Sequence, residues 1–218
     1  MKTIYLGSFA PLTNKKGEGL LRAIEKTVKV KNDDNKIFWY PRIRPKVKSF
    51  FVEHCNYDIL IDLSVKLLDA IPQTRHQIID MENSKLAVKQ IKDMSFEMFD
   101  GKDMAAPTEK SIAFHGIELN INPDAIITWQ DNDGKTHVGA IKTKLKKTAF
   151  RPDEGTMIAC LIQYYLSVLY PDYIVEPDYC ICFDAFRRKF FTSKNYDINI
   201  STAVSIAEKI AAMGDVAA

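Results

Sequence analysis

Residues 116–147 read GIELNINPDAIITWQDNDGKTHVGAIKTKLKK, and the reading of this stretch decides the fold. Apolar Ile117, Leu119 and Ile121 alternate with Glu118, Asn120 and Asn122. That is the period of a strand whose two faces meet different surroundings. Pro123 interrupts the alternation. Asp124 then opens an apolar run over residues 125–130, too short for a helix and rich in β-branched side chains. DNDG at 131–134 is a hairpin turn signal, and residues 136–145 form the return strand. Along it Lys142, Lys144 and Lys146 alternate with Thr143 and Leu145, so one strand face is basic.

On the C-terminal side, residues 155–170 (GTMIACLIQYYLSVLY) predict a largely apolar helix stopped by Pro171. Strands follow at 179–186 and 189–192, with Arg187 and Arg188 at their turn. A last helix over 197–213 is capped at Asn199 or Ser201. On the N-terminal side, residues 3–10 read as a short strand or extended arm. Leu20, Leu21, Ile24 and Val28 give residues 17–30 a helical spacing. A polar turn at 32–35 leads to KIFWYPRIRPKVK (36–48), read as extended because Pro41 and Pro45 oppose a regular helix. Ser49 caps a helix over 49–70, a second helix covers 76–92, and a loop runs from Asp100 and Gly101 to about residue 108. Residues 111–121 supply one or two strands.

This order predicts an α/β (α+β) protein with a central mixed sheet and helices on both faces. The length of 218 residues, the apolar fraction of 46% and the charged fraction of 27% suit one globular domain. Within it, 1–109 is a helical and extended lead-in, 110–192 the core and 193–218 a C-terminal helix. A net charge of +2 excludes a global field drawing the chain onto nucleic acid, so any basic surface is local. Cys55, Cys160, Cys180 and Cys182 form no CxxC pair and read as reduced, mostly buried thiols. The start MKTIYLGSFAP reads as a strand rather than a signal peptide, and no apolar run reaches membrane-span length. A soluble, cytoplasmic protein is the expectation.

Pro123-Asp124, Lys142 in the next strand, and Gln163-Tyr164 in the following helix together resemble the PD-(D/E)XK nuclease superfamily. That superfamily includes restriction endonucleases and RecB-like nucleases. The resemblance covers about residues 110–192, and KVKSFFVEHCNYD before it looks like the opening helix of the RecB-like branch. It implies a restriction-endonuclease-like core that hydrolyses DNA phosphodiester bonds with Mg²⁺ or Mn²⁺. Hard divalent cations need carboxylate and carbonyl oxygens beside the scissile phosphate, and they activate bound water. Asp124 would bind the metal with the backbone carbonyl of Ile141. Lys142 would orient the water or stabilise charge on phosphate oxygens. Gln163 is the third candidate catalytic residue.

The chain departs from the pattern at Ala140, where the family has an acid or amide. Glu118 can substitute if its strand face points to the cleft. Glu82 can do so from the preceding helix, and Glu154 or Gln163 from the next one. The alternative is the same fold without catalysis, serving as a nucleic-acid or protein-binding module. For nucleic acid, Arg42, Arg44, Lys46 and Lys48 alternate along the segment read as extended. With Lys144, Lys146, Lys147 and Arg151 they make basic stripes that suit a phosphate backbone, or else solvated strand edges. Trp39, Tyr40 and Trp129 are read as packing residues in preference to base-stacking platforms.

Overall fold

The 116–147 stretch divides between two sheets. A computed structural model describes residues 1–29, 41–72, 74–145 and 151–213. Strands β1 (Lys2–Tyr5), β3 (Ser111–Phe114) and β4 (Ile117–Asn120) form a small sheet in the order β1-β4-β3. Strands β2 (Asp103–Ala105), β5 (Ala125–Gln130), β6 (Thr136–Lys144), β7 (Ile174–Asp184) and β8 (Lys189–Thr192) form the large sheet in that order. β5 and β6 are an antiparallel hairpin, closed where Asp131 Oδ1 accepts the N–H groups of Asp133 and Lys135, each at 2.9 Å. β6 and β7 run parallel, so a crossover is required, and helix α6 (Pro152–Leu169) provides it.

The helices before α6 are α1 (Leu6–Phe9), α2 (Gly17–Lys29), α3 (Ile43–Val52), α4 (Asp58–Asp69) and α5 (Arg75–Lys92); α7 (Tyr196–Ala212) ends the described chain. Strand alternation sends the two faces of the large sheet into separate cores. Ile126, Val138, Ala140, Cys180 and Cys182 pack with Ile158, Leu161 and Tyr165 of α6 and Ile206 of α7. Ala125, Ile127, Ile141, Ile181 and Phe183 pack with Val47 and Phe51 of α3, Leu60 of α4 and Ile91 of α5. In that second core the Phe96 ring meets Phe50 at 5.3 Å, Phe51 at 5.4 Å and Phe183 at 5.5 Å. The chain is therefore a mixed α/β protein with helices on both sheet faces. Among the described residues no helix is long and apolar enough to cross a membrane.

Several local expectations are corrected. Residues 111–121 do form two strands, but they pair with each other, and β4 with β1, in the small sheet rather than join the large one. The neighbour of β5 is β2, inside the stretch read as a loop and only three residues long. The segment 36–48 is not extended where it is described. α3 begins at Ile43, and Pro45 falls in its first turn, where the missing N–H has no intrahelical partner to lose. The helix expected over 49–70 is broken in two, because His54 and Cys55 adopt φ of 53° and 58°. Asn56 then starts α4 by accepting the Asp58 N–H at 3.0 Å. The 3–10 arm is strand only to Tyr5, since Leu6 and Phe9 turn into the core as α1. α7 begins after Asn195, in the left-handed region, rather than at an Asn199 or Ser201 cap. β7 extends back to Ile174 because it pairs with the start of β6. The turn at 32–35 and residues 36–40 lie outside the described residues.

The β6–β7 pairing has an irregularity between Val138 and Ala140, at Gly139. A Cβ there would sit 2.4 Å from Tyr179 Cβ and 2.7 Å from the Tyr179 carbonyl oxygen. Both are rigid parts of β7, so the strands themselves would have to separate. Gly139→Ala is expected to cost about 1–3 kcal/mol. Thermal unfolding followed by circular dichroism should show a melting temperature lower by about 2–4 °C per kcal/mol. An unchanged melting temperature would mean the two strands spread freely.

Candidate functional site

Asp124 stands just before β5, and its backbone N–H donates to the Ile141 carbonyl at 2.7 Å. Its side chain folds back over β6, where Oδ2 accepts the Thr143 N–H at 2.5 Å. The carboxylate thus extends the ladder one step beyond the last pair, Ala125 with Ile141. This side chain is 3% exposed, and Lys142, at 16%, places Nζ 3.7 Å from Oδ1. A buried carboxylate needs such partners, because desolvation otherwise disfavours its charge.

The lysine is held from a second side. Its Nζ donates to the backbone carbonyl of Asn122. Asn122 has φ of 43°, a left-handed conformation that asparagine tolerates better than most residues. The N–H groups of Ile121 and Asn122 both bond the Lys110 carbonyl, at 3.0 and 2.8 Å, which fixes the bend. From α3, Lys48 Nζ donates to Asn122 Oδ1 at 2.7 Å. One residue therefore aims two ammonium groups toward one carboxylate.

The charges do not balance. Burial lowers the Lys142 pKa, Asp124 opposes this, and Arg44 and Lys48 push it down further. Burial likewise lowers the Lys48 pKa against the pull of Asp124, with Lys110 and Arg44 adding to the effect. Lys48 and Lys142 thus share the field of Asp124, with Arg44 disfavouring the charge on both.

Ala140 is fully buried against Ile126 and Cys180 in the α6-side core, so the position of the absent acid is an apolar packing position. Glu118 lies in the small sheet, where it accepts from Thr3 and, at 2.7 Å, from Ser111. Glu82 is exposed on α5. The more sheltered acid of that turn is Asp80, 3.3 Å from Arg42 Nε; burial raises its pKa and Arg42 opposes the rise. Glu154, in the first turn of α6, is 3.3 Å from Lys144 Nζ. Gln163 is half-buried on α6, and its Oε1 has no hydrogen-bond partner among the described residues. The Ile141 carbonyl is the acceptor of the Asp124 N–H.

The basic stripes change character. Because α3 is a helix, Arg44 and Lys48 share a face one turn apart, whereas Lys46 falls on another side. Arg42 is paired with Asp80, and Lys144 with Glu154. Lys146, Lys147, Trp39 and Tyr40 lie outside the described residues. Trp129 is stacked on His137 at 5.3 Å and lies against Tyr179 at 4.6 Å, in keeping with a packing role.

As arranged, these donors do not fit a Mg²⁺ shell, which needs several free oxygens in near-octahedral array. Asp124 is already engaged by Lys142 and the Thr143 N–H, and among the described residues no group of three or more His, Cys, Asp and Glu is placed to hold a metal ion. Sequence reading missed Asn122 and Lys110, and it assigned Lys48 to a stripe rather than to this site. The available signal was the NPD tripeptide, in which Asn before Pro marks a bend. No protein-family model and no curated protein matches the chain.

Asp124→Ala would strand both the buried Lys142 ammonium and the Thr143 N–H. A loss of about 3–5 kcal/mol is expected in urea unfolding. Adding Lys142→Met to that variant should recover part of the loss, with a coupling of about 0.5–3 kcal/mol in the double-mutant cycle. Strictly additive losses would show that the two side chains do not interact.

Proposed function

We propose that this chain is a nucleic-acid-binding module on a restriction-endonuclease-like, PD-(D/E)XK-type core, holding the DNA backbone without cutting it. The observation that carries the reading is the charge imbalance at Asp124. Lys48 and Lys142 both feel the one Asp124 carboxylate, which is already engaged, while Arg44 repels both lysines and Lys110 repels Lys48. A phosphate diester supplies the missing negative charge and accepts hydrogen bonds from ammonium and guanidinium groups. The order of elements supports the core assignment. α5 is followed by the antiparallel set β2-β5-β6, then α6, then parallel β7, with the β3–β4 hairpin inserted after β2. Free Cys55, Cys160, Cys180 and Cys182 support a reducing compartment such as the cytoplasm.

A second reading, a Mg²⁺- or Mn²⁺-dependent deoxyribonuclease, is favoured by one specific observation. Asp124 and Lys142 face each other at 3.7 Å, the pairing that the family resemblance implies for catalysis. Asp124→Asn separates the two readings, because it keeps an acceptor for Thr143 while removing the charge.

Fluorescence anisotropy with labelled single- and double-stranded DNA should show binding that weakens steeply with salt. Lys48→Ala and Lys142→Met should each flatten the log–log salt slope by about 1. Asp124→Asn should tighten binding. Salt-insensitive binding, or none, would overturn the module. Mn²⁺-dependent cleavage abolished by Asp124→Asn would establish the nuclease instead.

A further inference from the structure

At the opposite end of β6 from Lys142, His137 is held between two acids. Its Nε2 lies 3.1 Å from Asp131 Oδ2 in the hairpin turn, and its Nδ1 lies 2.7 Å from Glu176 Oε1 in β7. The ring stacks on Trp129 of β5 at 5.3 Å with its plane tilted by 14°. Turn, β5 and β7 therefore converge on one imidazole carried by β6. A neutral imidazole has a single N–H and can donate to only one carboxylate; the imidazolium cation donates to both. Ionised carboxylates only accept, so the two-sided arrangement needs the second proton on the ring.

We propose that His137 is a proton-operated clamp: its imidazolium form ties the 131–134 turn to β7, and loss of the proton releases one of the two ties. The clamp sits beside the break in the β6–β7 register. His137 pairs with Ile174 and Val138 with Val175, just before the irregularity at Gly139. Beyond that point β6 continues to Lys142, so the clamp anchors one end of the strand that carries the site residue.

The charged groups meeting the ring are Asp131 from the turn and Glu176 from β7. Lys135 meets Asp131 through its backbone, its N–H donating to Oδ1 at 2.9 Å and its carbonyl accepting the Asp131 N–H at 3.0 Å. Lys102 sits beyond the stack, with Nζ 5.2 Å from the Trp129 centroid and 4.9 Å from that of Tyr179. The hydrogen bond to Asp131, then that to Glu176, raises the His137 pKa, and desolvation opposes them. The bond to His137 lowers the Asp131 pKa.

The direction of the pH effect follows from linkage. A raised histidine pKa contributes stability that is complete below the unfolded value of about 6.5 and is lost as pH rises through the folded value. A lowered aspartate pKa contributes stability that is present above about 4 and lost as pH falls below it. The clamp is closed between these limits.

The test is a proton NMR titration of the His137 ring in the full chain, with melting temperatures across the same pH range for the native protein and His137→Gln. The expected midpoint lies above about 6.5. The melting-temperature difference between the two proteins should be largest near pH 6 and should shrink above the midpoint. Glu176→Gln should move the midpoint down, and this check stands even if His137→Gln fails to fold. A midpoint at or below about 6.5 in the native protein, or one that Glu176→Gln leaves unmoved, would overturn the clamp. DNA binding plays no part in these readouts.

Discussion

The constraint on which the site depends is the double engagement of the Asp124 carboxylate. One oxygen accepts the Thr143 N–H and the other faces the Lys142 ammonium. A carboxylate this buried is tolerated only because it is paired and hydrogen-bonded. A cation reaching this carboxylate would have to displace the Lys142 ammonium and share an oxygen with the Thr143 N–H. Arg44 and Lys110 add further positive charge beside Lys48.

The sheet explains how such a site is positioned. Side-chain alternation places Ile126, Ala140 and Cys180 in one core and Ile127, Ile141 and Ile181 in the other, with helices covering both. Ala140 is therefore the register neighbour of Ile126 under α6, a position where an unpaired acid would be desolvated. Lys142, two residues on, escapes that fate because Asn122 and Asp124 meet it at the end of the ladder. A two-residue step along one strand separates the packed core from the polar site.

Much of this was legible in residues 116–147. The β5–β6 hairpin and its DNDG turn follow from local periodicity and turn chemistry, and α6 from the apolar run 155–170 beyond them; the pairing of Asp124 with Lys142 was what the family resemblance implied. What was not legible was non-local or conformational. Strand alternation in 117–121 says nothing about which sheet the strand joins, so Glu118 was considered for a cleft whereas it bonds Thr3 and Ser111 in the small sheet. The three residues of β2 carry too little pattern to register as a strand. Pro45 reads as a helix breaker until its place in the first turn of α3 is known, and with residues 43–48 read as extended, Lys48 was assigned to a basic stripe rather than brought to Asn122. His54 and Cys55 in the left-handed region carry no glycine to announce the break between α3 and α4.

The decisive experiment is a crystal structure of the native chain soaked in Mn²⁺ together with inorganic phosphate, with anomalous scattering used to locate the metal. The present reading predicts a phosphate bridging Lys48 and Lys142 and no manganese on Asp124. Manganese bound to Asp124, with Lys142 swung away from it, would contradict that reading and make the chain a metal-dependent enzyme.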